Sequence, residues 1–443
     1  MSKHLRLLLI GIAIADLLAA IDSTAVIVAM PRIAHDLSLS APAVSFIQII
    51  YTFALITALI PAGKIGDVIG HKKIFLTGLA IFGLASLCLT VVPSFTLLLI
   101  LRVIQGVAGG MLYTSSGALI AHHWKSTEQA FGITAAVFGI GMLIGPLLGG
   151  LLSDSSLGSF SGWHFIFAIN VPITLIGIWL IRREAKETPK DSNGYHVDSL
   201  GLLLFALTLG SLITCLMYNN YQVASGMATL AFLMLLVLRE KNLANPLLNF
   251  EIFKGQTFAA IALFTTVAMF CLNGLSFINT FYVQTVLGRS AALAGIMLIP
   301  ISVGMAVFSG VASTNKSWKR GAILGAILIC GGLAVLAHVS PSVSYVRGLF
   351  IGYIVVSAGA GFMMTTTFAA ALGSVSKQFV GATAGYINTV QQIGSLAGIA
   401  FVASRNVTVT YQSTYFYLTL IAGIGIIAAL FVKNNQHNTE VHA

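Results

Sequence analysis

Long apolar runs, broken at intervals by proline, glycine and small clusters of charge, follow one another along almost the whole chain. A helix of roughly 20 apolar residues crosses a bilayer. The breaks mark fourteen such runs, at about residues 6–30, 43–62, 74–92, 97–120, 129–152, 164–181, 198–217, 222–239, 256–279, 291–312, 321–338, 344–368, 380–403 and 414–432. Each is read as a membrane-spanning helix. The first run, preceded by Lys3 and Arg6, is too long for a cleavable signal peptide and lacks a small-residue cleavage pattern, so it is expected to be retained as the first span.

Composition agrees with the pattern. Of 443 residues 57% are hydrophobic and only 8% charged, against about 25% charged in soluble proteins. A large soluble catalytic domain is thereby excluded. Cys88, Cys215, Cys271 and Cys330 all fall within apolar runs and lack metal-ligand spacing. They read as small core residues. The neighbours His122 and His123 likewise form no ligand motif, so no metal and no cofactor are expected.

Charge sets the expected orientation. With both termini on the cytoplasmic side, 18 of the 23 Lys and Arg residues lie inside: Lys3, Arg6, Lys64, Lys72, Lys73, Lys125, Arg182, Arg183, Lys186, Lys190, Arg239, Lys241, Lys254, Lys316, Lys319, Arg320, Lys377 and Lys433. Four remain outside, Arg32, Arg289, Arg347 and Arg405, with Arg102 alone inside a span. The positive-inside rule selects this topology. The net charge of +10 then reports contact with anionic lipid headgroups, and no nucleic-acid partner is expected. The runs at 198–217 and 222–239 are flanked by the two most charged linkers, which suggests an inserted helical hairpin. Three regions follow: an N-terminal six-helix bundle at 1–181, the hairpin with its linkers at 182–254, and a C-terminal six-helix bundle with its tail at 255–443. Two such bundles around a central site are the arrangement of alternating access.

Acids are confined to one part of the chain. None lies between Glu251 and Glu440, and within the spans only Asp16 and Asp22 occur, both in the first. An ionised group at mid-membrane costs about 2.5–3.5 kcal/mol on insertion scales. Such a group calls for a function or a partner. A carboxylate withdrawn from water favours its protonated form, which suits it to load and release a proton as its surroundings alternate. Six residues place the two acids about 120° apart around the helix and about 9 Å apart along it. They cannot face one spot. Arg102 lies at a depth within about 5 Å of Asp22, so the two can pair if the first and fourth spans are neighbours. Gln105 shares the face of Arg102. Packing or a water-filled cavity would be the ordinary role of such residues. Proton coupling by Asp22, Asp16 and Arg102 is the expectation.

Several segments resemble known motifs. Gly63-Lys64-Ile65-Gly66-Asp67-Val68-Ile69-Gly70-His71-Lys72-Lys73, after the second span, resembles the signature loop GxLaDrxGrk of the major facilitator superfamily, with Val68 and His71 replacing arginines. Glycine permits a tight turn there, and the Asp67 carboxylate can cap a helix N-terminus across the bundle interface. Leu101-Arg102-Val103-Ile104-Gln105-Gly106 is similar to the superfamily's RxxQG motif, whose arginine the resemblance links to proton coupling. The segment from Gly141 through Gly145 and Pro146 to Gly149 and Gly150 resembles the antiporter motif GxxxGPxxGG. Its glycines permit close helix contact and its proline can bend the span. Ala20 to Pro31 is similar to the LDxTIVNVALP segment of the 14-span drug/proton antiporter family, and Trp163 to Pro172 to its WRWIFxINVP segment, with His164 replacing an arginine. Asn245-Pro246-Leu247-Leu248 and the stretch Gly381–Gly398 match further.

The resemblance covers nearly the whole chain. It implies an all-α membrane protein of the major facilitator fold, two six-helix bundles with an inserted hairpin, in a bacterial cytoplasmic membrane. It also implies export of lipophilic or cationic drugs in exchange for protons. The partners would be a small molecule, protons and membrane lipids, and the protein would be a monomer. Tyr386, Asn388 and Gln391 are the candidate substrate contacts. A specific physiological solute such as a lipid, peptide, siderophore or amino-acid derivative is the alternative cargo. An intramembrane enzyme would need clustered acids and histidines at one face, and ATP-driven transport a GxxxxGK[ST] loop. Neither pattern occurs.

Overall fold

The computed structural model describes residues 3–124, 128–157, 160–188, 198–243, 255–314, 317–339, 345–375, 380–405 and 407–434. Fourteen long helices occur among them: α1 Lys3–Asp36, α2 Ala41–Ile69, α3 His71–Leu89, α4 Phe95–His123, α5 Glu128–Ser153, α6 Trp163–Glu184, α7 Ser199–Met217, α8 Gln222–Glu240, α9 Gln256–Phe281, α10 Ala291–Ser313, α11 Trp318–Ala337, α12 Tyr345–Gly373, α13 Val380–Ala403 and α14 Val407–Leu430. Thirteen stretches are long and apolar enough to cross a membrane, counted over the described residues alone. Lys125, Lys190, Lys254, Lys316, Lys377 and the segment Asn245–Leu248 lie outside the described residues. Among the described residues the strands are a two-residue pair between α5 and α6, with Ser156 opposite Ser161 and Leu157 opposite Phe160.

Two of the expected helix ends move. α1 continues through Pro31 to Asp36, and α2 through Pro61 to Ile69. Proline removes one intrahelical hydrogen bond, but in an apolar helix the neighbouring bonds continue the ladder. The segment from Gly63 to Asp67 is therefore the last turns of α2 rather than a loop. The chain reverses on Gly70 alone, at φ 104°, and α3 begins at His71. Only glycine adopts that φ without strain, and a Cβ there would also meet the Glu187 carboxylate.

The helices begin on side-chain caps where the sequence supplies them. The Ser40 hydroxyl accepts from Ala43 N at 3.3 Å, Ser94 from Leu97 N at 3.4 Å and Ser317 from Arg320 N at 3.2 Å. Asp198 caps α7 through Gly201 N at 3.0 Å and also receives two bonds from Arg239 Nε and one from Arg239 Nη2, at 2.6–3.1 Å. That pair closes the α7–α8 hairpin at its open end. By contrast the outward face of α8, with Val223, Met227, Leu230 and Met234 exposed, is a surface for lipid.

The chain forms two compact units. The first comprises residues 1–247, 276–299 and 399–408, and the second residues 248–275, 300–398 and 409–443. In the first, α1 is buried along most of its length and lies against α5 and α6, while α4 lies against α2 and α3. Close approach comes from small residues. A Cβ on Gly141 would lie 2.7 Å from that of Ala20, one on Gly145 3.1 Å from Ile21 O, and one on Gly149 2.8 Å from Ala25 Cα. On α4, Gly106 and Gly110 allow the backbone of α2 to approach at Tyr51 and Leu55. At the far end of α5 both oxygens of Asp154 accept from the first turn of α10, Ala291 N at 3.2 Å and Ala292 N at 3.0 Å. In the second unit α11 and α12 meet at Gly325, Gly332 and Gly359.

Two predictions follow from this geometry. Gly70→Val should lower the melting temperature of detergent-purified protein by an amount equal to about 1–3 kcal/mol of backbone strain. Gly63→Ala, whose Cβ would reach Thr114 only at 3.8 Å, should leave it unchanged. At the hairpin, the Arg239 hydrogen bonds hold the Asp198 carboxyl below its ordinary value of 3.8. A lowered folded-state value means that the pair stabilises above that pH and loses its contribution as pH falls through the folded value. Amide exchange at the start of α7 should accordingly rise only in strong acid, and Asp198→Ala should raise it at neutral pH.

Candidate functional site

A salt bridge sealed from solvent lies within the first unit. Arg102 Nη1 donates to Asp22 Oδ2 at 2.5 Å, and both side chains have 0% exposure. Polar and apolar neighbours from α2, α3, α4 and α6 complete it. The same Nη1 reaches Gln105 Oε1 at 2.6 Å, Nη2 reaches Gln48 Oε1 at 3.1 Å, and Nε reaches the Ile47 carbonyl at 3.2 Å. The Tyr51 ring covers the guanidinium at 4.1 Å from its centroid, with Phe167 further off at 5.9 Å. On the acid, Oδ1 accepts from Gln105 Nε2 at 3.3 Å and from Asn170 Nδ2 at 3.2 Å. Gln105 also donates to Ser86 Oγ at 2.9 Å, and Gln48 to Thr52 Oγ1 at 3.4 Å.

Local sequence explains the convergence. The glycines of α4 bring α2 close enough for Tyr51 to lie on Arg102, and Gln105, one turn on, turns inward with it. A buried charge is tolerated when it is paired and its remaining donors are satisfied, and Arg102 is paired with four of its five N–H donors bonded. Asp16 has a different setting. Half-buried, it accepts no hydrogen bond from any described residue and lines an apolar crevice with Ala15, Ala19, Phe82, Gly109, Leu112 and Tyr113. The two acids of α1 thus face different neighbours.

The end of α2 and the start of α3 form a second cluster. Asp67 Oδ1 lies 2.9 Å from His71 Nε2, so its described partner is one turn along its own connection. His71 N donates to Thr188 Oγ1 at 2.9 Å and Lys72 N to Glu187 Oε1 at 2.9 Å. Lys72 Nζ donates to the carbonyls of Arg182 at 3.1 Å and Ala185 at 2.6 Å, a cation at the C-terminal end of α6. His4 pairs with Glu184, and Lys186 N donates to His123 Nε2 at 3.0 Å. The segment Glu184–Thr188 is held from three helices, α1, α3 and α4.

In the second unit Gln391 Nε2 approaches Met364 Sδ at 3.9 Å. Asn388, three residues before Gln391, is half-buried on the same side of α13, and Tyr386 lies on another. The three side chains do not share one face. Among the described residues no group of three or more His, Cys, Asp and Glu is placed to hold a metal.

The model for the Major Facilitator Superfamily matches residues 12–399. The chain belongs to the major facilitator superfamily. It is 29% identical over 452 residues to the puromycin resistance protein pur8 of Streptomyces alboniger, covering 98% of this chain and 86% of that one. It is 27% identical over 408 residues to multidrug resistance protein 3 of Bacillus subtilis, covering 89% and 78%. The fold matches that of a D-xylose-proton symporter with a TM-score of 0.67 at 14% identity, covering 97% of each chain. This major facilitator protein is therefore a multi-pass transporter of a bacterial cytoplasmic membrane, not an enzyme, with relatives named for drug and antibiotic resistance.

Sequence reading singled out Asp22, Arg102 and Gln105, which this major facilitator structure brings together. It passed over Gln48, Tyr51 and Ser86, and quoted Asn170 only within a motif. Uncharged polar residues inside spans were the available signal. Removing one partner of the pair leaves a buried charge uncompensated, at a cost of about 3–5 kcal/mol. Asp22→Leu should destabilise the transporter by that amount in thermal unfolding, and adding Arg102→Met should restore most of the loss.

Proposed function

We propose that the protein is a proton-coupled antiporter that exports lipophilic or cationic drugs by alternating access. The observation that carries this reading is the Asp22–Arg102 pair, the one ion pair among the described residues with both side chains closed from solvent. Protonation of Asp22 neutralises one side of the pair and weakens its hold on Arg102, which alters the balance between α1 and α4. An element whose two states are biased by one proton is what coupling requires. The names of the relatives support drugs as the cargo.

In this reading both termini are cytoplasmic, and residues 1–181 and 255–443 act as the two bundles, with 182–254 as the inserted hairpin. Gly63, Asp67, Gly70 and Lys72, at the junction of α2 and α3, steady one conformation, Gln105 and Gly106 support the pair, and Gly141, Gly145, Pro146 and Gly149 let α5 move against α1. Asp16 is the second proton site, its crevice supplying an apolar environment. Tyr386, Asn388 and Gln391 contact the cargo.

The test is uptake of a fluorescent lipophilic cation into inverted vesicles under an imposed pH gradient. Wild-type protein should accumulate the dye and release it when the gradient is dissipated. Asp22→Asn should abolish gradient-driven uptake while dye binding persists. Undiminished uptake in Asp22→Asn would refute the reading, and uptake insensitive to the gradient would indicate facilitated diffusion.

A further inference from the structure

Asn170 of α6 is fully buried beside Asp22, yet half of its amide is unused. Its Nδ2 donates to Asp22 Oδ1 at 3.2 Å, and its Oδ1 has no hydrogen-bond partner. A buried acceptor left unsatisfied is unusual enough to need a reason. The neighbouring acceptors are occupied. Gln105 Oε1, Gln48 Oε1 and the Ile47 carbonyl all accept from Arg102, at 2.6, 3.1 and 3.2 Å, and Ser86 Oγ accepts from Gln105 at 2.9 Å. The hydroxyls of Ser23 and Thr24 are turned to the Ala20 carbonyl.

This matters once Asp22 is protonated. A carboxylic acid carries an O–H that must donate, and in a dry site an unmade bond is costly. Tyr51 Oη also lacks a partner, but the carbonyl oxygen of Asn170 is the open acceptor on a side chain already hydrogen-bonded to Asp22. An amide turned half a revolution about its last torsion exchanges its NH2 and its oxygen.

We propose that Asn170 is the positioning residue that holds Asp22 in both protonation states, donating to the carboxylate and, with its amide reversed, accepting from the acid. The proposal rests on the reading that Asp22 carries the coupled proton. It adds how that proton is retained where no water reaches. The charged or titratable groups facing Asp22 are Arg102 of α4 and Tyr51 of α2. The membrane portions of α5 and α6, residues 129–153 and 165–181, contain no charged residue, so the polar group α6 presents to it is the Asn170 amide.

Infrared difference spectra of the full-length protein in lipid vesicles, between alkaline and acid pH, test it. Wild type should show a carboxylic acid C=O band on acidification, lost in Asp22→Asn. Asn170→Leu should keep the band but move it to higher frequency, the sign of an O–H without a partner. It should also slow proton-driven exchange about tenfold, the scale of one lost buried hydrogen bond. Wild-type protein labelled with 13C at the asparagine side-chain carbonyl should show one amide band that falls in frequency on acidification and is silent in Asp22→Asn. That measurement decides the matter even if Asn170→Leu fails to fold. A carboxyl band unmoved by Asn170→Leu, or present with no amide response, overturns the role of Asn170 alone. A carboxyl band that survives Asp22→Asn overturns the proton assignment and this inference with it.

Discussion

A guanidinium and a carboxylate removed from water must satisfy each other and everything else they could bond, and the first unit is built around that requirement. Arg102 has four described hydrogen bonds and an aromatic cover, and Asp22 has three, all supplied from α1, α2, α4 and α6 with Ser86 of α3 behind them. The need for such proximity explains the glycines. Without a Cβ at Gly106 the backbone of α2 comes near enough to place Ile47, Gln48 and Tyr51 on the guanidinium, and without one at Gly145 α5 lies along α1. Small residues and a buried charge are two parts of one packing solution, because hydrocarbon offers no other way to satisfy the charge.

Much of this was legible in the sequence. A charged residue in a span is so costly that its position alone announces a partner, and with one base and two acids the candidate pairings were few. Uncharged polar residues are different, because they can be satisfied by the preceding turn of their own helix. Asn273 bonds the Met269 carbonyl and Thr57 that of Phe53, whereas Asn170 and Gln48 reach other helices. Nothing in spacing separates the two behaviours. Helix ends failed for a related reason. Pro31 and Pro61 look like breaks, but within a long apolar helix the loss of one backbone bond does not stop the ladder. The true break at Gly70 is a single residue and needs a positive φ, which sequence marks only as one glycine among 44.

Charge in the connections carries more than topology. The linker after α6 reads as a solvated basic run, but Glu184, Lys186, Glu187 and Thr188 are each bonded from α1, α3 or α4. The replacement of an arginine by His71 fits that setting. Its imidazole is short enough to lie over Gly66 and meet Asp67, while its backbone N–H reaches Thr188. Lys72 then takes the role of a C-terminal cap for α6, leaving the exposed Lys73 to solvent and lipid headgroups.

The contrast between Asp16 and Asp22 bears on how a single helix could serve a transport cycle. Asp22 has three hydrogen-bond partners, so a change in its charge must disturb at least Arg102, Gln105 and Asn170, and with them two other helices, α4 and α6. Asp16 lacks a hydrogen-bonding partner among the described residues, so a change in its charge alters its own hydration more than any neighbour's position. Mechanical consequence follows coordination: a proton moves helices only where its arrival breaks bonds between them. Under the proposed antiport, the coordinated acid is the one able to switch the bundle. The uncoordinated acid, roughly 9 Å away along α1, can hold a proton without moving anything, as a transit site must.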